Sequence, residues 1–113
     1  MHELSIVLGV VDIAQRELEK SEATKIDSIE LEIGRLAGVE PLALDFAWPE
    51  ATKKTVLEFA DRKIEYISGY AECLDCKEKF ELENMYDECP KCKSYFKDII
   101  RGKELRVKAL VVS

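Results

Sequence analysis

The sequence has a single histidine, His2, and no glycine-rich loop of the kind that holds nucleotide phosphates. It also shows no nucleophile with a catalytic base beside it, which is the arrangement that covalent catalysis needs. We therefore expect a protein that is not an enzyme. Any nucleotide-driven step in its function would have to come from another protein.

Long hydrophobic runs are also absent. The longest apolar run, Ile6 to Val11, ends at Asp12 and is far shorter than the ~18 residues that span a membrane. Glu3 stands where a signal peptide carries positive charge, and no small-residue cleavage pattern follows. We therefore expect a cytoplasmic protein with no membrane partner.

Net positive charge is lacking as well. The 113 residues carry a formal charge of −6, with 47% hydrophobic and 35% charged residues, which is typical of a folded globular domain. Between Tyr70 and Ile99, eight acidic residues face only five lysines. Because phosphate backbones attract cationic surfaces, this balance predicts no nucleic-acid partner.

The four cysteines form two CxxC pairs, and twelve residues separate the pairs. Each pair can bring two sulfurs to one ion, and the intervening segment can form a hairpin with Phe80 and Tyr86 packed beneath the metal. In a reducing compartment this pattern favours a structural Zn²⁺ site with four thiolate ligands over two disulfides. A rubredoxin-like iron site shares the spacing, but rubredoxin knuckles usually continue with glycine, whereas lysine follows each pair here. The predicted zinc ligands are Cys73, Cys76, Cys89 and Cys92.

Hydrophobic periodicity predicts an α+β fold. Apolar residues at spacings of three and four, a stripe that includes Leu4 and Leu8, indicate a helix over about residues 3–20. Alternation indicates strands around Ile29, over residues 63–68 and from Leu105 over about eight residues. A second helix begins at Pro41, and Pro49 should end or kink it because proline lacks an amide donor.

The last strand has no sheet of its own, so we expect it to return to the earlier two strands. The predicted architecture is two helices on a three-stranded sheet with a small inserted zinc-ribbon-like domain. The predicted boundaries are 1–69 for the first part of the main domain, 70–99 for the zinc domain and 100–113 for the returning strand.

His2 lies directly after Met1, so three nitrogens can reach one ion: the Met1 amine, the deprotonated His2 amide and the His2 imidazole. Ni(II) and Cu(II) favour such a planar nitrogen field, and the Glu3 amide could fill the fourth place. The alternative is that His2 is a solvated terminal residue and that Glu3 only complements a helix dipole.

Three segments together resemble the HypA family of hydrogenase nickel-incorporation proteins: Met1 to Ile6, Gly34 to Glu40 and the paired cysteines, with Pro90 after Cys89. The resemblance implies a nickel metallochaperone that holds Ni²⁺ through Met1, His2 and Glu3 and a structural Zn²⁺ at the cysteines. It also implies two partners, a HypB-type GTPase and the hydrogenase large subunit.

Two other functions stay open at this point. One is a zinc ribbon that binds nucleic acid, and the other is a zinc-stabilised protein-interaction module with no nickel role. Nucleic-acid binding that depends on ionic strength would support the first. Failure to hold one nickel ion per chain would support the second.

Overall fold

The computed structural model describes residues 3–113, which form two α-helices and six β-strands. The elements follow the order helix, strand, helix and five strands. This content of helices and strands confirms the predicted α+β fold. The elements are α1 (Glu3–Glu19), β1 (Ile26–Gly34), α2 (Pro41–Thr52), β2 (Asp61–Ile67), β3 (Gly69–Cys73), β4 (Lys79–Leu82), β5 (Lys97–Arg101) and β6 (Leu105–Val112).

The first sheet has the strand order β2-β1-β6, which confirms the predicted return of the last strand. Backbone hydrogen bonds join Lys25 to Ser113 and Gly34 to Glu104, so β1 and β6 run antiparallel. A chain that leaves this sheet after β2 and comes back as β6 must form everything between them as an insertion. The insertion carries the second sheet, with the order β4-β3-β5.

Ion pairs tie β6 to its neighbours. The Arg106 guanidinium donates to the Glu32 carboxylate, and the Lys108 ammonium lies 3.3 Å from Glu30 and 3.2 Å from Glu65. Hydrogen bonds from the Lys108 ammonium raise the pKa of the Lys108 side chain, and the bond to Glu65 has a larger effect than the bond to Glu30. The predicted alternation of apolar and charged residues along β6 places its cations beside the carboxylates of β1 and β2.

The helix α1 buries one stripe of small and branched side chains, and it packs against α2. Val7, Val10, Ala14 and Leu18 are buried, whereas Leu4 and Leu8 are about half exposed. The apolar stripe expected from the sequence included Leu4 and Leu8, so the buried face is narrower than the pattern suggested. A helix that meets its partners on one side can bury only the positions on that side.

Pro49 lies inside α2, which continues to Thr52, so of the two predicted effects, an end or a kink, the end is wrong. Asp45, whose carbonyl would accept a bond from residue 49, is exposed, as is Pro49 itself. Water can therefore satisfy that carbonyl. Trp48 and Thr52 are buried, and the Thr52 hydroxyl donates to the Trp48 carbonyl at 2.8 Å, which holds the last turn.

The structure falls into two compact units. The first holds the described residues up to Glu32 together with Val39–Glu65 and Arg106–Ser113, and the second, called the zinc unit below, holds Ile33–Gly38 and Tyr66–Leu105. The functional boundaries 1–69, 70–99 and 100–113 stay a prediction. Neither helix in the described part of the chain has the length and apolarity needed to cross a membrane.

Gly34 and Gly102 allow two backbone segments of the zinc unit to approach each other closely. A Cβ on Gly34 would lie 1.9 Å from the Gly102 carbonyl oxygen, and Gly102 has a φ of +117°. Only glycine, which has no Cβ, tolerates the close contact at Gly34 and the positive φ at Gly102. The Leu36 amide donates to that same Gly102 carbonyl at 2.7 Å, which brings the Leu36 side chain into the core of the unit.

Candidate metal centre

The first CxxC pair closes the turn between β3 and β4. The Cys73 amide donates to the Glu78 carbonyl at 2.8 Å, and the Lys77 amide donates back to the Cys73 carbonyl at 3.0 Å. β3 and β4 pair antiparallel on either side of this turn. The turn therefore holds both thiols at one end of a short hairpin, as the spacing predicted.

The second CxxC pair repeats this bonding pattern. The Cys89 amide donates to the Ser94 carbonyl at 2.9 Å, and the Lys93 amide donates to the Cys89 carbonyl at 2.9 Å. The two knuckles have the same residue offsets, since each first cysteine accepts from the residue four positions on and donates to the residue five positions on. The same local conformation therefore presents two sulfurs from each knuckle.

The four sulfur atoms meet at one point. Cys73 and Cys92 have their sulfurs 3.5 Å apart, Cys76 and Cys89 have theirs 3.6 Å apart, and all four lie within 4.8 Å of one another. Four thiolates about 2.3 Å from a tetrahedral ion lie about 3.8 Å from each other, whereas a disulfide needs about 2.05 Å. The cluster fits a structural tetrathiolate zinc site, and its cysteines are not paired as disulfides.

Burial differs sharply among the four cysteines. Cys73 and Cys89 are fully buried in a cluster with Leu36, Phe80 and Leu82, while Cys92 is exposed. Phe80 packs against the cysteines as predicted. Tyr86 is 84% exposed, so its predicted place beneath the metal was wrong.

The pKa values of the four thiols differ. The Cys76 amide is the main group that lowers the pKa of Cys73, to about 7. The Ser94 amide alone would lower the pKa of Cys92, but the neighbouring thiol of Cys73, desolvation and the other thiols together raise it to about 12. Four sulfurs this close cannot all ionise without a cation between them. A divalent ion removes that restriction, which is the chemistry a zinc site requires.

Two contacts fasten the knuckles to each other. The Ser94 hydroxyl donates to the Asp75 carboxylate, and the Leu74 amide donates to the Phe96 carbonyl at 2.9 Å. Asp75 and Leu74 lie between the first two cysteines, and Ser94 and Phe96 follow the second two. The sequence signalled neither contact, because serine and aspartate at these positions look like ordinary loop residues.

The residue after each knuckle has a left-handed backbone. Lys77 has a φ of 67° and Lys93 a φ of 65°, a region that costs a side-chain-bearing residue about 1–2 kcal/mol. The glycine that often follows such a knuckle would remove that cost. In the sequence, lysine at these positions distinguishes the knuckles from those of rubredoxin but does not indicate the left-handed backbone.

We predict that Lys77→Gly raises the free energy of unfolding of the zinc-loaded protein by about 1 kcal/mol relative to Lys77→Ala. Both variants remove the same charge, but only alanine keeps the Cβ that the left-handed backbone disfavours. Denaturant unfolding at saturating zinc measures the difference. Equal stability of the two variants would mean that the φ of 67° costs nothing.

The predicted nickel ligands are only partly covered by the structure. Met1 and His2 lie outside the described residues. Glu3 begins α1, and its carboxylate accepts the Glu40 amide at 3.1 Å, just before Pro41 opens α2. The start of α1 is thus fixed beside the start of α2, a contact between residues 37 positions apart that no local pattern indicated.

A family model described as "Hydrogenase/urease nickel incorporation, metallochaperone, hypA" matches residues 1–112 of the chain. A hydrogenase maturation factor HypA of Parabacteroides distasonis is 41% identical over 112 residues, covering 99% of this chain and 97% of the relative. The HypA of Francisella philomiragia is 39% identical over 111 residues, covering 98% of each.

Solved structures agree. The solution structure of the nickel metallochaperone HypA from Helicobacter pylori matches with a TM-score of 0.70 at 26% identity, covering 99% of this chain and 97% of that one. A second solution structure, of a HypA protein, matches with a TM-score of 0.68 at 26% identity, covering 100% of this chain and 97% of that one. The likeness therefore extends over both compact units.

Proposed function

The chain belongs to the HypA family of nickel-incorporation metallochaperones, and on this premise we propose that it binds Ni(II) at its N-terminus and delivers the ion during maturation of nickel–iron hydrogenase. The observation that carries the proposal is the family match over residues 1–112, which includes both the opening Met-His-Glu and the cysteine cluster. A nucleic-acid-binding zinc ribbon would give no reason for the first of these.

The proposed nickel ligands are the Met1 amine, the His2 amide and imidazole, and the Glu3 amide. Glu3 is the first described residue of α1, so the proposed ligands lie at or just before the described start of this helix. The bond from the Glu40 amide engages the Glu3 carboxylate and not its main chain, so it is compatible with a main-chain role.

The zinc ion has a different proposed role. Cys73, Cys76, Cys89 and Cys92 would hold it in a closed tetrathiolate site, which leaves no open position for water or substrate. The zinc would supply folding energy to a unit with a small core and would take no part in nickel transfer chemistry. Nickel is cargo, and zinc is a structural cofactor.

The proposed partners follow from the family and from what the chain lacks. Hydrogenase maturation requires other proteins, and a HypB-type GTPase would supply the nucleotide-driven step for which this sequence has no phosphate-binding loop. The hydrogenase large subunit would receive the nickel. We propose that the protein itself is not an enzyme and acts in the cytoplasm, where thiols stay reduced for metal binding.

Metal analysis of the untagged protein tests this function. After dialysis against Ni(II), we expect one nickel and one zinc per chain, and the His2→Ala variant should keep zinc while losing most of the nickel. X-ray absorption at the nickel edge should show nitrogen neighbours and no sulfur. Sulfur around nickel, or full nickel retention in His2→Ala, would contradict the assignment.

A further inference from the structure

Charge is segregated within the zinc unit, although its acidic and basic residues nearly balance. Residues 72–88 carry seven acidic side chains and two lysines, whereas residues 91–103 carry five cations and only Asp98 as an anion. In the sheet of order β4-β3-β5, β5 is an edge strand that carries Lys97 and Arg101, and Lys103 follows it. The β5 edge and the turn after it form the cationic side.

An open groove of about 400 Å³ runs beside β5. Tyr95 is 63% exposed and Met85 is 38% exposed, so both present apolar surface to solvent. The residues lining the groove are Met85, Tyr95, Lys97, Asp98, Ile99 and Lys103. The groove is mostly polar, and it is lined by two ammonium groups and one carboxylate together with one aromatic and two aliphatic side chains.

The two lysines of the groove are not neutralised. Within residues 3–113, neither Lys97 nor Lys103 has a carboxylate within ion-pair distance, and the Lys97 ammonium donates instead to the Tyr95 carbonyl at 2.9 Å. By contrast, the Lys91 ammonium lies 3.9 Å from the Glu78 carboxylate. The Lys93 ammonium lies 3.9 Å from the Glu88 carboxylate. Lys97 and Lys103 are thus two of the four lysines of this unit that lack an ion pair among residues 3–113, the other two being Lys77 and Lys79.

We propose that this groove, which we call the β5 groove, docks an extended segment of a partner protein that carries acidic residues beside a bulky apolar side chain. Met85, Tyr95 and Ile99 would receive the apolar side chain, and the lysines would pair with the flanking carboxylates. Because β5 is an edge strand, its outer side is open to backbone pairing with an extended segment. The acidic residues elsewhere in the unit, and Asp98 within the lining, disfavour a nucleic acid.

A random twelve-residue peptide library displayed on phage tests the proposal against zinc-loaded, full-length protein. Selected peptides should be enriched in aspartate and glutamate next to leucine, isoleucine or phenylalanine. A synthetic peptide of the selected sequence should shift the amide signals of Tyr95, Lys97 and Ile99 in NMR spectra. Its affinity should fall as salt concentration rises.

The charge-reversal variant Lys97→Glu/Lys103→Glu should bind that peptide about tenfold more weakly or worse. The control Lys53→Glu/Lys79→Glu changes the net charge equally at exposed lysines away from the groove and should bind normally. Selected peptides without acidic enrichment, or equal binding by the groove variant and the control, would overturn the proposal. So would displacement of the peptide by a twelve-nucleotide oligothymidine, which would identify the groove as a nucleic-acid site.

Discussion

Replacement of Cys76 by serine is expected to unfold the zinc unit while α1 keeps its helical structure. Metal binding and folding are coupled in small zinc modules, where the ion contributes an apparent ~10–16 kcal/mol. Among the described residues, the buried apolar core of this cluster comprises Leu36, Ala71, Phe80 and Leu82 besides the buried cysteines, with Ile99 partly buried against it. That core cannot replace the contribution of the ion, and serine is a poor ligand for zinc.

Hydrogen exchange followed by mass spectrometry measures this outcome by region. We expect protection in β3, β4 and β5 to disappear in Cys76→Ser and equally in the native protein after zinc chelation, while the amides of α1 stay protected. The control is Ser94→Ala, which removes the hydroxyl bond to Asp75 and leaves every sulfur in place. Persistent protection of β3 to β5 without zinc would show that the unit folds without metal.

The same preparation distinguishes zinc from iron. Both ions suit four thiolates at similar distances, so the sulfur geometry alone does not choose between them. Zinc with four sulfur neighbours at about 2.3 Å in X-ray absorption is the expected result. Iron in the purified protein, or nitrogen among the neighbours, would contradict the zinc assignment.

The fold could be predicted where a single local pattern sufficed. The last strand was found because Leu105, Val107, Ala109 and Val111 alternate with Arg106 and Lys108, and its return to the first sheet followed from the need for partners. The metal cluster was found because a CxxC pair is a local device for gathering two sulfurs. Each of these features depends on residues close together in the chain.

The incorrect or missing structural predictions concern positions whose conformation or burial depends on contacts between residues far apart in the sequence. Leu36 belongs to the core of the zinc unit, but its own segment reads only as a turn after β1, 44 positions before Phe80. The second helix alternates leucine and aromatic residues in a way typical of a strand as much as a helix, and only packing selects Leu44 and Trp48 for burial. Pro49 is tolerated because its exposed position lets water replace the lost bond.

A hairpin and a zinc-ribbon-like domain were predicted for this segment, but the individual strands of the second sheet were not, for a related reason. β4 and β5 have four and five residues, too few for periodicity to separate a strand from a loop. β3 is their common partner, and Cys73 at its end belongs to the cluster of four sulfurs. A sequence shows the ligands of such a module more clearly than its strands.

The N-terminal site is expected to be destroyed by extending the chain with Gly-Pro before Met1. The extension converts the Met1 amine to an amide and places the new amine beyond a proline, whose nitrogen has no proton to lose and cannot bind a metal. A single added residue would be a poorer test, because a histidine in third position could form a new chelate of one amine, two amides and the imidazole. Loss of an outer partner of a metal ligand typically costs 10–100-fold in affinity, so loss of a ligand should cost about a hundredfold or more.

Competition titration with a nickel chelator measures the affinity, and the zinc content should not change. The control is a Gly-Pro extension after Ser113, which adds the same residues at the other end of the chain. For the native protein, nickel binding should weaken as the pH falls, because an amine with an ordinary pKa near ~8 and an imidazole with one near ~6.5 must both lose protons to bind. If the N-terminally extended protein binds nickel as tightly as the control, the ion is held by carboxylates or cysteines, and the Met1 amine has no part in the site.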